Sequence, residues 1–428
     1  MDDGTLTVGL LGCGVVGSGV VRLLHEHADE IAARVGVRLE LGPVAVRDLS
    51  RSRGVDLPQL TDDPRKVVAA PEVDIVVEVT NGIEPARALV AEALEAGKSV
   101  VTANKVLVAA EGHDLAALAR RRGGRFEYEA AVAGGVPVIK PMRESLAGDR
   151  VRKVVGILNG TTNYVLTRMT DEGVSFDEAL AAAQELGYAE ADPTADVEGH
   201  DAAAKVAILA SIAFDARVTV DDVYVEGIAA VTATDIAHAR RMGYVVKLLG
   251  IADDAAGAVS ARVHPALVPA GHPLANVRDA YNAVFVVGEA AGNLMFYGRG
   301  AGSLPTASAV MGDVVTVARA LRAGERPPAS VPVPSRPVRP FESVQVQSYV
   351  LLDVADEPGV LAAVASAFGA NGVSIRTVWQ EGQDDTAQLL LITHAAREGD
   401  VRRTLGVLRE LPAVRDVASV LRVEGAEV

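Results

Sequence analysis

The sequence predicts an α/β protein in three parts: a doubly wound parallel sheet, an α+β domain and a small βαββαβ domain. Residues 1–150 alternate short, almost continuously apolar strands with helical segments, which is the pattern of a parallel sheet covered by helices. From Val151 onward the alternation stops. A proline-rich stretch then precedes a compact series of strands and helices at the carboxyl end.

The first domain, residues 1–150, is predicted from its apolar runs. Strands are expected at 6–12, 37–46, 73–80 and 98–104, with helices at 16–35 and 84–96. The second domain, 151–304, is expected to contain helices at 176–186 and 201–214 and strands at 248–253 and 282–289. A helix at about 305–323 follows, and we expect it to pack back on the first domain.

The third domain begins after a predicted linker at 324–344. Residues 327–340 contain six prolines and little apolar surface, which is typical of an extended, semi-rigid connection. Residues 345–428 then show the βαββαβ order. Its strands are predicted at 347–355, 374–381, 386–394 and 414–423, and its helices at 359–369 and 398–410.

Composition narrows the class of protein. The net charge of −15 argues against nucleic acid or an anionic membrane as the main partner. Cys13 is the single cysteine, which excludes an intramolecular disulfide and favours a reducing compartment. Because the sequence shows neither a signal peptide nor an apolar run long enough to cross a bilayer, we expect a soluble, cytoplasmic protein.

A glycine-rich turn follows the first predicted strand. Gly12, Gly14 and Gly17 form a GxGxxG pattern that also contains Val15 and Val16 and opens a helix. In this context the first glycine permits a tight turn, the second lets a pyrophosphate approach the backbone and the third allows close packing. The helix amino terminus would face the phosphates. The pattern predicts a Rossmann-type dinucleotide site, and the alternative is a βα turn without a ligand.

The end of the second strand bears on the choice of coenzyme. Arg47 lies where NAD-binding proteins carry an acidic residue, and Arg51 is close by. Arginine suits a 2′-phosphate, so NADP is favoured. Asp48 keeps NAD possible, because a shift of one residue would restore an acidic partner. A solvated loop arginine is the alternative. Thr80, which ends the third predicted strand, is included among the candidate cofactor-binding residues.

Two further stretches carry candidate ligands. Lys105 comes just after the carboxyl end of a predicted parallel strand, where ligands bind in open α/β sheets, although an ordinary exposed lysine is the alternative. Glu129 precedes a turn through Gly134 and Gly135, and a carboxylate with bent backbone carbonyls could hold a hard cation. The histidines show no spacing that indicates a zinc site.

The densest polar stretch precedes an apolar helix. Glu190 and Asp201 belong to a group of five acidic residues ahead of Lys205. Asp201 and Lys205 are four residues apart, so both project from one face of the helix. This pattern fits either a solvated loop with a structural ion pair or a site for an ammonium-bearing substrate with a lysine placed for proton transfer.

These motifs together resemble homoserine dehydrogenase of the monofunctional kind that carries a C-terminal ACT domain. The matching stretches are GLLGCGVVGSGV, VTANK, EAAVAGGVP, GILNGTTNYVL, GYAEADPTADVEGHDAAAK and GRGAGSLPTASAV, in the order of the family. DEPGVLAAVASAFGANGVSI is similar to an ACT domain, a ferredoxin-like module that binds amino acids.

The resemblance implies roles for individual residues. Lys205 matches the catalytic lysine, Asp201 a substrate-contacting aspartate and Glu190 the carboxylate that binds the substrate amino group. Lys105 matches a lysine near nicotinamide and substrate. A monovalent cation, Na+ in the first instance, would be held by the set Glu129, Val132, Gly134 and Val136. Two glycines match cofactor contacts, Gly187 and Gly302.

The resemblance also implies the reaction. It is the NAD(P)-dependent interconversion of L-homoserine and L-aspartate 4-semialdehyde, in the biosynthesis of threonine, methionine and isoleucine. Threonine is the expected effector at the ACT domain, and a homo-oligomer, dimer or tetramer, is expected. Two alternatives are another NAD(P)-dependent dehydrogenase of a small amino or oxo acid, and a non-catalytic sensor of dinucleotides or amino acids.

Overall fold

The computed structural model describes residues 4–255, 257–325, 336–383 and 386–425. Residues 326–335 of the predicted linker therefore lie outside the described residues. The chain divides into two compact units. One comprises Met1–Val151, Ala207–Val220 and Asn282–Arg336, and the other comprises Arg152–Val206, Asp221–Tyr281 and Pro337–Val428.

The first unit is built on a six-stranded parallel sheet. Its elements are β1 (Thr5–Leu11), α1 (Val15–Glu26), α2 (Ala28–Val35), β2 (Arg38–Ala45), β3 (Leu60–Thr61), α3 (Arg65–Ala69), β4 (Val73–Glu78), α4 (Ala86–Glu95), β5 (Ser99–Thr102), α5 (Lys105–Arg122) and β6 (Phe126–Glu127). The strand order is β3-β2-β1-β4-β5-β6. The central strands are apolar and buried because helices cover both faces. The predicted doubly wound sheet is confirmed.

The helix predicted at 16–35 is two helices, and this part of the prediction was wrong. His27 leaves the helical region (φ −115°, ψ 22°) and separates α1 from α2. Asp29 and Glu30 stand in the first turn of α2, where carboxylates favour a helix amino terminus. The charge pattern therefore restarts the helix, although the apolar periodicity continues through the break.

The middle of the chain supplies an α+β domain. The elements from Val151 onward are β7 (Val151–Ile157), α6 (Gly160–Glu172), α7 (Phe176–Glu185), α8 (Thr194–Val197), α9 (His200–Ala213), β8 (Tyr224–Val225), α10 (Ala233–Arg241), β9 (Tyr244–Ala255), β10 (Ala258–Pro269), β11 (Tyr281–Gly288) and β12 (Gly292–Arg299). Helix α11 (Ser303–Ala323) follows and belongs to the first unit. Helix α11 packs on α1, where a Cβ on Gly19 would lie 2.8 Å from the Ser303 carbonyl oxygen.

The carboxyl-terminal module has the βαββαβ order that the sequence predicts. It contains β13 (Gln345–Ala355), α12 (Val360–Ala370), β14 (Ile375–Gln383), β15 (Thr386–Thr393), β16 (Ala396–Arg397), α13 (Glu398–Arg409) and β17 (Val414–Val423). Its apolar core includes Val350, Phe368 and Leu405. Strand β17 also pairs in parallel with β10, at Ala266↔Arg422 and Leu267↔Val423. The module therefore extends the sheet of the second unit, in the order β7-β9-β10-β17-β13-β15-β14.

Candidate active site

The glycine-rich turn has the geometry of a phosphate-binding loop. Gly12 has φ +92°, and a Cβ there would lie 2.9 Å from the Thr80 side chain. A Cβ on Gly17 would lie 2.3 Å from the Gly12 carbonyl oxygen, so this glycine permits the close approach of α1 to β1. At Gly14, which caps α1, an added Cβ would meet nothing within 4 Å. The protein does not fill that space, and a pyrophosphate could.

A cleft of about 450 Å³ opens beside this turn. Its lining includes Gly12 and Gly14 of the turn, Thr80, and the loop residues Arg47, Asp48, Arg51 and Arg53. The Asp48 carboxylate accepts hydrogen bonds from Ser50 N (2.9 Å) and Ser50 Oγ (2.6 Å). These bonds lower its pKa, with the Ser50 hydroxyl as the largest cause. Asp48 is therefore engaged within its own loop, while Arg47 and Arg51 are exposed along the cleft.

Glu78 is a buried carboxylate beside the cleft, and it was not among the predicted site residues. Glu78 is fully buried at the end of β4, and burial raises its pKa. It accepts hydrogen bonds from Thr80 N (2.8 Å), the Thr80 hydroxyl and Thr102 Oγ1 (2.6 Å). The available signal was the second of the two charges, Asp74 and Glu78, in the otherwise apolar run VDIVVEV. Glu78 thus holds the loop that carries Thr80.

Lys105 is the first residue of α5. Asn104 caps this helix through the Leu107 amide (3.1 Å) and donates to the Gly82 carbonyl oxygen (2.7 Å). The sequence analysis did not identify Asn104 either. The cap places half-buried Lys105 at the carboxyl edge of the parallel sheet, in agreement with the predicted location of this lysine.

Glu129 is anchored by the backbone. Its carboxylate is buried and accepts hydrogen bonds from the amides of Val138 (2.6 Å), Ile139 (2.8 Å) and Lys140 (2.7 Å). Between them the chain turns through Ala133 (φ 53°) and Gly134 (φ 51°). Three of the roughly four acceptor positions of the carboxylate are thereby used. Any cation here would depend mainly on backbone carbonyls.

Two glycines predicted to contact the cofactor have distinct local roles. Gly302 caps the 21-residue helix α11 with φ 120° and ψ 158°, a conformation that is almost restricted to glycine. Gly187 has φ 75° and follows the end of α7, where a left-handed glycine commonly ends a helix. Helix termination alone accounts for a glycine at 187, and its cofactor contact stays a prediction.

Lys205 and Asp201 form a buried pair in the second unit. Each residue is 8% exposed, and Lys205 Nζ lies 2.6 Å from Asp201 Oδ2. Nζ also donates to the Leu158 carbonyl oxygen at 2.7 Å. A lysine ammonium has three N–H donors, and these contacts use two. Among the described residues no third acceptor meets Nζ, so a substrate oxygen can take that position.

Asn159 connects this pair to the acidic stretch, and the sequence analysis missed its role. Its side-chain oxygen caps α6 through the Thr162 amide (2.9 Å). Its Nδ2 donates to Asp201 Oδ2 (2.9 Å) and to Asp196 Oδ1 (2.6 Å).

Glu190 is exposed, and its carboxylate forms no ion pair within the described part of the chain. The structure thus brings Asp196, Asp201 and Lys205 together and leaves the Glu190 carboxylate available to a cationic group.

The described residues contain neither a helix that could span a membrane nor a cluster of metal-ligating side chains. No helix there has the length and apolar character needed to cross a membrane. No group of three or more His, Cys, Asp or Glu side chains suited to a metal ion occurs among the same residues.

Comparison with known proteins assigns a family to all three parts. Residues 12–129 match the family model for the homoserine dehydrogenase NAD binding domain, residues 137–315 match homoserine dehydrogenase, and residues 348–413 match the ACT domain. The homoserine dehydrogenase of Corynebacterium glutamicum is 51% identical over 423 residues, which cover 97% of this chain and 95% of that protein.

Solved structures agree with the family match. A crystal structure of a homoserine dehydrogenase from Thiobacillus denitrificans superposes with a TM-score of 0.93 at 42% identity, covering 98% of each chain. A hyperthermophilic archaeal homoserine dehydrogenase in complex with NADPH has a TM-score of 0.62 at 25% identity and covers 73% of this chain and 98% of its own. The chain belongs to the homoserine dehydrogenase family, oxidoreductases that use a nicotinamide dinucleotide to interconvert L-homoserine and L-aspartate 4-semialdehyde.

Proposed function

We propose that Lys205 is the acid and base of the reaction. The observation that carries this proposal is that Lys205 is buried while one of the three N–H donors of Nζ has no acceptor among the described residues. The nicotinamide, when bound, supplies or accepts the hydride. As the aldehyde carbon of the semialdehyde gains hydride, its oxygen gains negative charge, and Lys205 Nζ transfers a proton to it. In the reverse direction Nζ takes the proton from the homoserine hydroxyl. The loss of turnover in Lys205→Met tests this role.

The groups around Lys205 orient it and the substrate. Asp201, held by Asn159, keeps Nζ in one position, because each partner is itself hydrogen-bonded. The exposed Glu190 carboxylate is proposed to pair with the substrate ammonium. Lys105 is proposed to contact substrate and nicotinamide from the edge of the parallel sheet. These roles follow the family resemblance, and the hydrogen-bond geometry around Asp201 supports them.

NADP is the proposed coenzyme, with its 2′-phosphate at Arg47 and Arg51. The hydrogen bonds between the Asp48 carboxylate and Ser50 support NADP as the coenzyme, because they hold this acidic residue within its own loop. Arg47→Asp should shift the ratio of kcat/KM for NADPH over NADH towards NADH by about 10- to 100-fold, since the phosphate loses a charged partner and meets a like charge. Steady-state kinetics with both coenzymes measure the ratio.

A matched variant separates recognition from net charge. Arg38→Asp makes the same change of charge at the start of β2, away from the cleft, and should leave the ratio within about twofold. If Arg47→Asp also leaves the ratio unchanged, other residues bind the 2′-phosphate, with Arg51 the first to test.

A monovalent cation, Na+ in the first instance, is proposed at the Glu129 turn. One acceptor position of the carboxylate and the carbonyl oxygens of Val132, Gly134 and Val136 would hold it, a set of mostly neutral oxygens that suits a singly charged ion. The melting temperature in sodium chloride, compared with that in tetramethylammonium chloride at equal ionic strength, tests this assignment.

Threonine is the proposed effector of the ACT module. The proposed state of the protein is a cytoplasmic homo-oligomer, either a dimer or a tetramer. Gly359 caps α12 with φ 96°, which leaves backbone N–H groups at that helix start for a carboxylate. Millimolar L-threonine should lower activity about 5- to 150-fold and raise the melting temperature, while D-threonine should do neither. If no amino acid shifts either quantity, the module serves assembly alone.

A further inference from the structure

One of the ion pairs that join the ACT module to the rest of the second unit is formed by Arg422, on the last strand of the module, and Glu226. Arg422, on β17, is 5% exposed and donates through Nη2 to Glu398 Oε1 at 2.6 Å within the module. Its Nη1 donates to Oε2 of Glu226, which follows β8 and lies outside the module. The Tyr224 hydroxyl also donates to Glu226 Oε2, at 2.8 Å. Hydrogen bonds from Arg422 and Tyr224 therefore hold the Glu226 carboxylate in one position.

The backbone beyond Glu226 contacts the acidic stretch directly. The Glu226 amide donates to the Val263 carbonyl oxygen on β10 (2.8 Å), and the Ile228 amide donates to the Val197 carbonyl oxygen (2.8 Å). Between them, a Cβ on Gly227 would lie 2.3 Å from the Val197 carbonyl oxygen. Because no side chain fits at position 227, the two backbone segments 226–228 and 197–199 are in direct contact. A displacement of one segment therefore either moves the other or breaks this contact.

Residues 197–199 directly precede α9, the helix that carries Asp201 and Lys205. The Gly199 amide donates to the Asp196 carbonyl oxygen (3.0 Å), and the Ala203 amide donates to the Gly199 carbonyl oxygen (2.9 Å). Asp196 is also the second acceptor of Asn159, whose other acceptor is Asp201. A displacement at Val197 therefore changes the start of α9 and the groups that hold Lys205.

We propose that Glu226 is a positioning residue through which the ACT module, by way of Arg422, holds segment 194–199 in the arrangement that seats Asp201 and Lys205. The inference rests on the proposed role of that pair. Each step between Arg422 and Lys205 is a direct contact. Loss of the link should loosen the segment and weaken substrate binding, while the cofactor turn of the first unit keeps its own contacts.

Glu226→Gln is the sharpest test, because Arg422 retains the Glu398 carboxylate and is not left as an unpaired buried charge. We expect the KM for aspartate semialdehyde to rise about 3- to 10-fold, with the KM for NADPH within about twofold. Hydrogen exchange of peptides covering 194–203 should become faster in the same variant. Glu226→Asp, which keeps the charge, should recover part of both effects.

Glu342→Gln is the matched control. It removes a different Arg–Glu pair, Glu342 with Arg402 at 2.9 Å, in which neither Glu226 nor Arg422 takes part. Equal effects of Glu342→Gln and Glu226→Gln would overturn the proposal, as would unchanged exchange of 194–203 in Glu226→Gln. Faster exchange with an unchanged substrate KM would also overturn the positioning role, and it would leave the Lys205 assignment to its own kinetic test.

Discussion

Replacing Lys205 by methionine is expected to lower turnover by about 10²- to 10⁴-fold, the usual contribution of general acid–base catalysis. Methionine has a similar length and suits a buried site, so folding and cofactor binding should be preserved. The physical reason is that the alkoxide formed on hydride addition would have no proton donor at the position Nζ occupies. Single-turnover oxidation of NADPH with aspartate semialdehyde measures the loss.

Lys98→Met is the control for that experiment. Lys98 also places its ammonium against backbone carbonyls, those of Ala70 and Val73, but it does so just before β5, at the amino end of that strand. Turnover in Lys98→Met should stay within about threefold of the unmodified enzyme, because this lysine lies outside the proposed chemistry. If turnover of folded Lys205→Met falls by less than tenfold, another group is the acid.

Glu424→Gln is expected to lower the free energy of unfolding by about 3–5 kcal/mol, because it removes one partner from a buried ionic cluster. Glu424 follows β17 and accepts from Lys153 Nζ (2.7 Å) and Arg262 Nη2 (3.0 Å). Arg262 is 2% exposed, and among the described residues it would keep only Asp253 as a charged partner. Urea unfolding at pH 7 gives the difference.

The same residue predicts a dependence on pH. Burial alone would raise the pKa of the Glu424 carboxyl, but Lys153 and Arg262 outweigh burial and lower it to about 2. A carboxylate whose pKa is lowered by folding contributes stability above its ordinary pKa of 4.5, and that contribution is lost as the pH falls through about 2. As the pH falls from 4.5 to about 2, the free energy of unfolding should therefore decrease less in Glu424→Gln than in the unmodified protein.

Glu342→Gln supplies the comparison for stability as well. Its pair with Arg402 is exposed, and surface pairs contribute about 0–1 kcal/mol. Equal destabilisation by Glu342→Gln and Glu424→Gln would contradict the interpretation that burial of the cluster determines its effect.

The dinucleotide-binding part was predictable because its signals are local. The turn from β1 into α1 needs glycine at Gly12 for its positive φ and at Gly17 for close packing, and both requirements are met within six residues of chain. Asp201 and Lys205 were predictable as a pair for a similar reason, since a separation of four residues on a helix brings side chains together in any fold.

The roles of Asn159, of the contact between Glu78 and Thr102 and of the amide partners of Glu129 were not predicted, because these contacts are not local. Asn159 meets Asp196 and Asp201 from 37 and 42 residues away. Glu129 accepts from amides 9–11 residues ahead, across a turn whose path no pattern indicates. Hydrogen bonds of this kind depend on where the backbone groups end up after packing.

The sequence by itself determined the parallel sheet, the phosphate turn, the order of the ACT elements and, through its motifs, the family. Only the tertiary structure decided how the ACT module is attached. The alternation of Arg262 and His264 with small apolar residues in β10 gives no sign that both are buried, because charged residues are normally exposed. Arg262 can be buried because β17 pairs with β10 and Glu424, which follows β17, meets its guanidinium. A buried charge is stable only where the fold supplies its opposite.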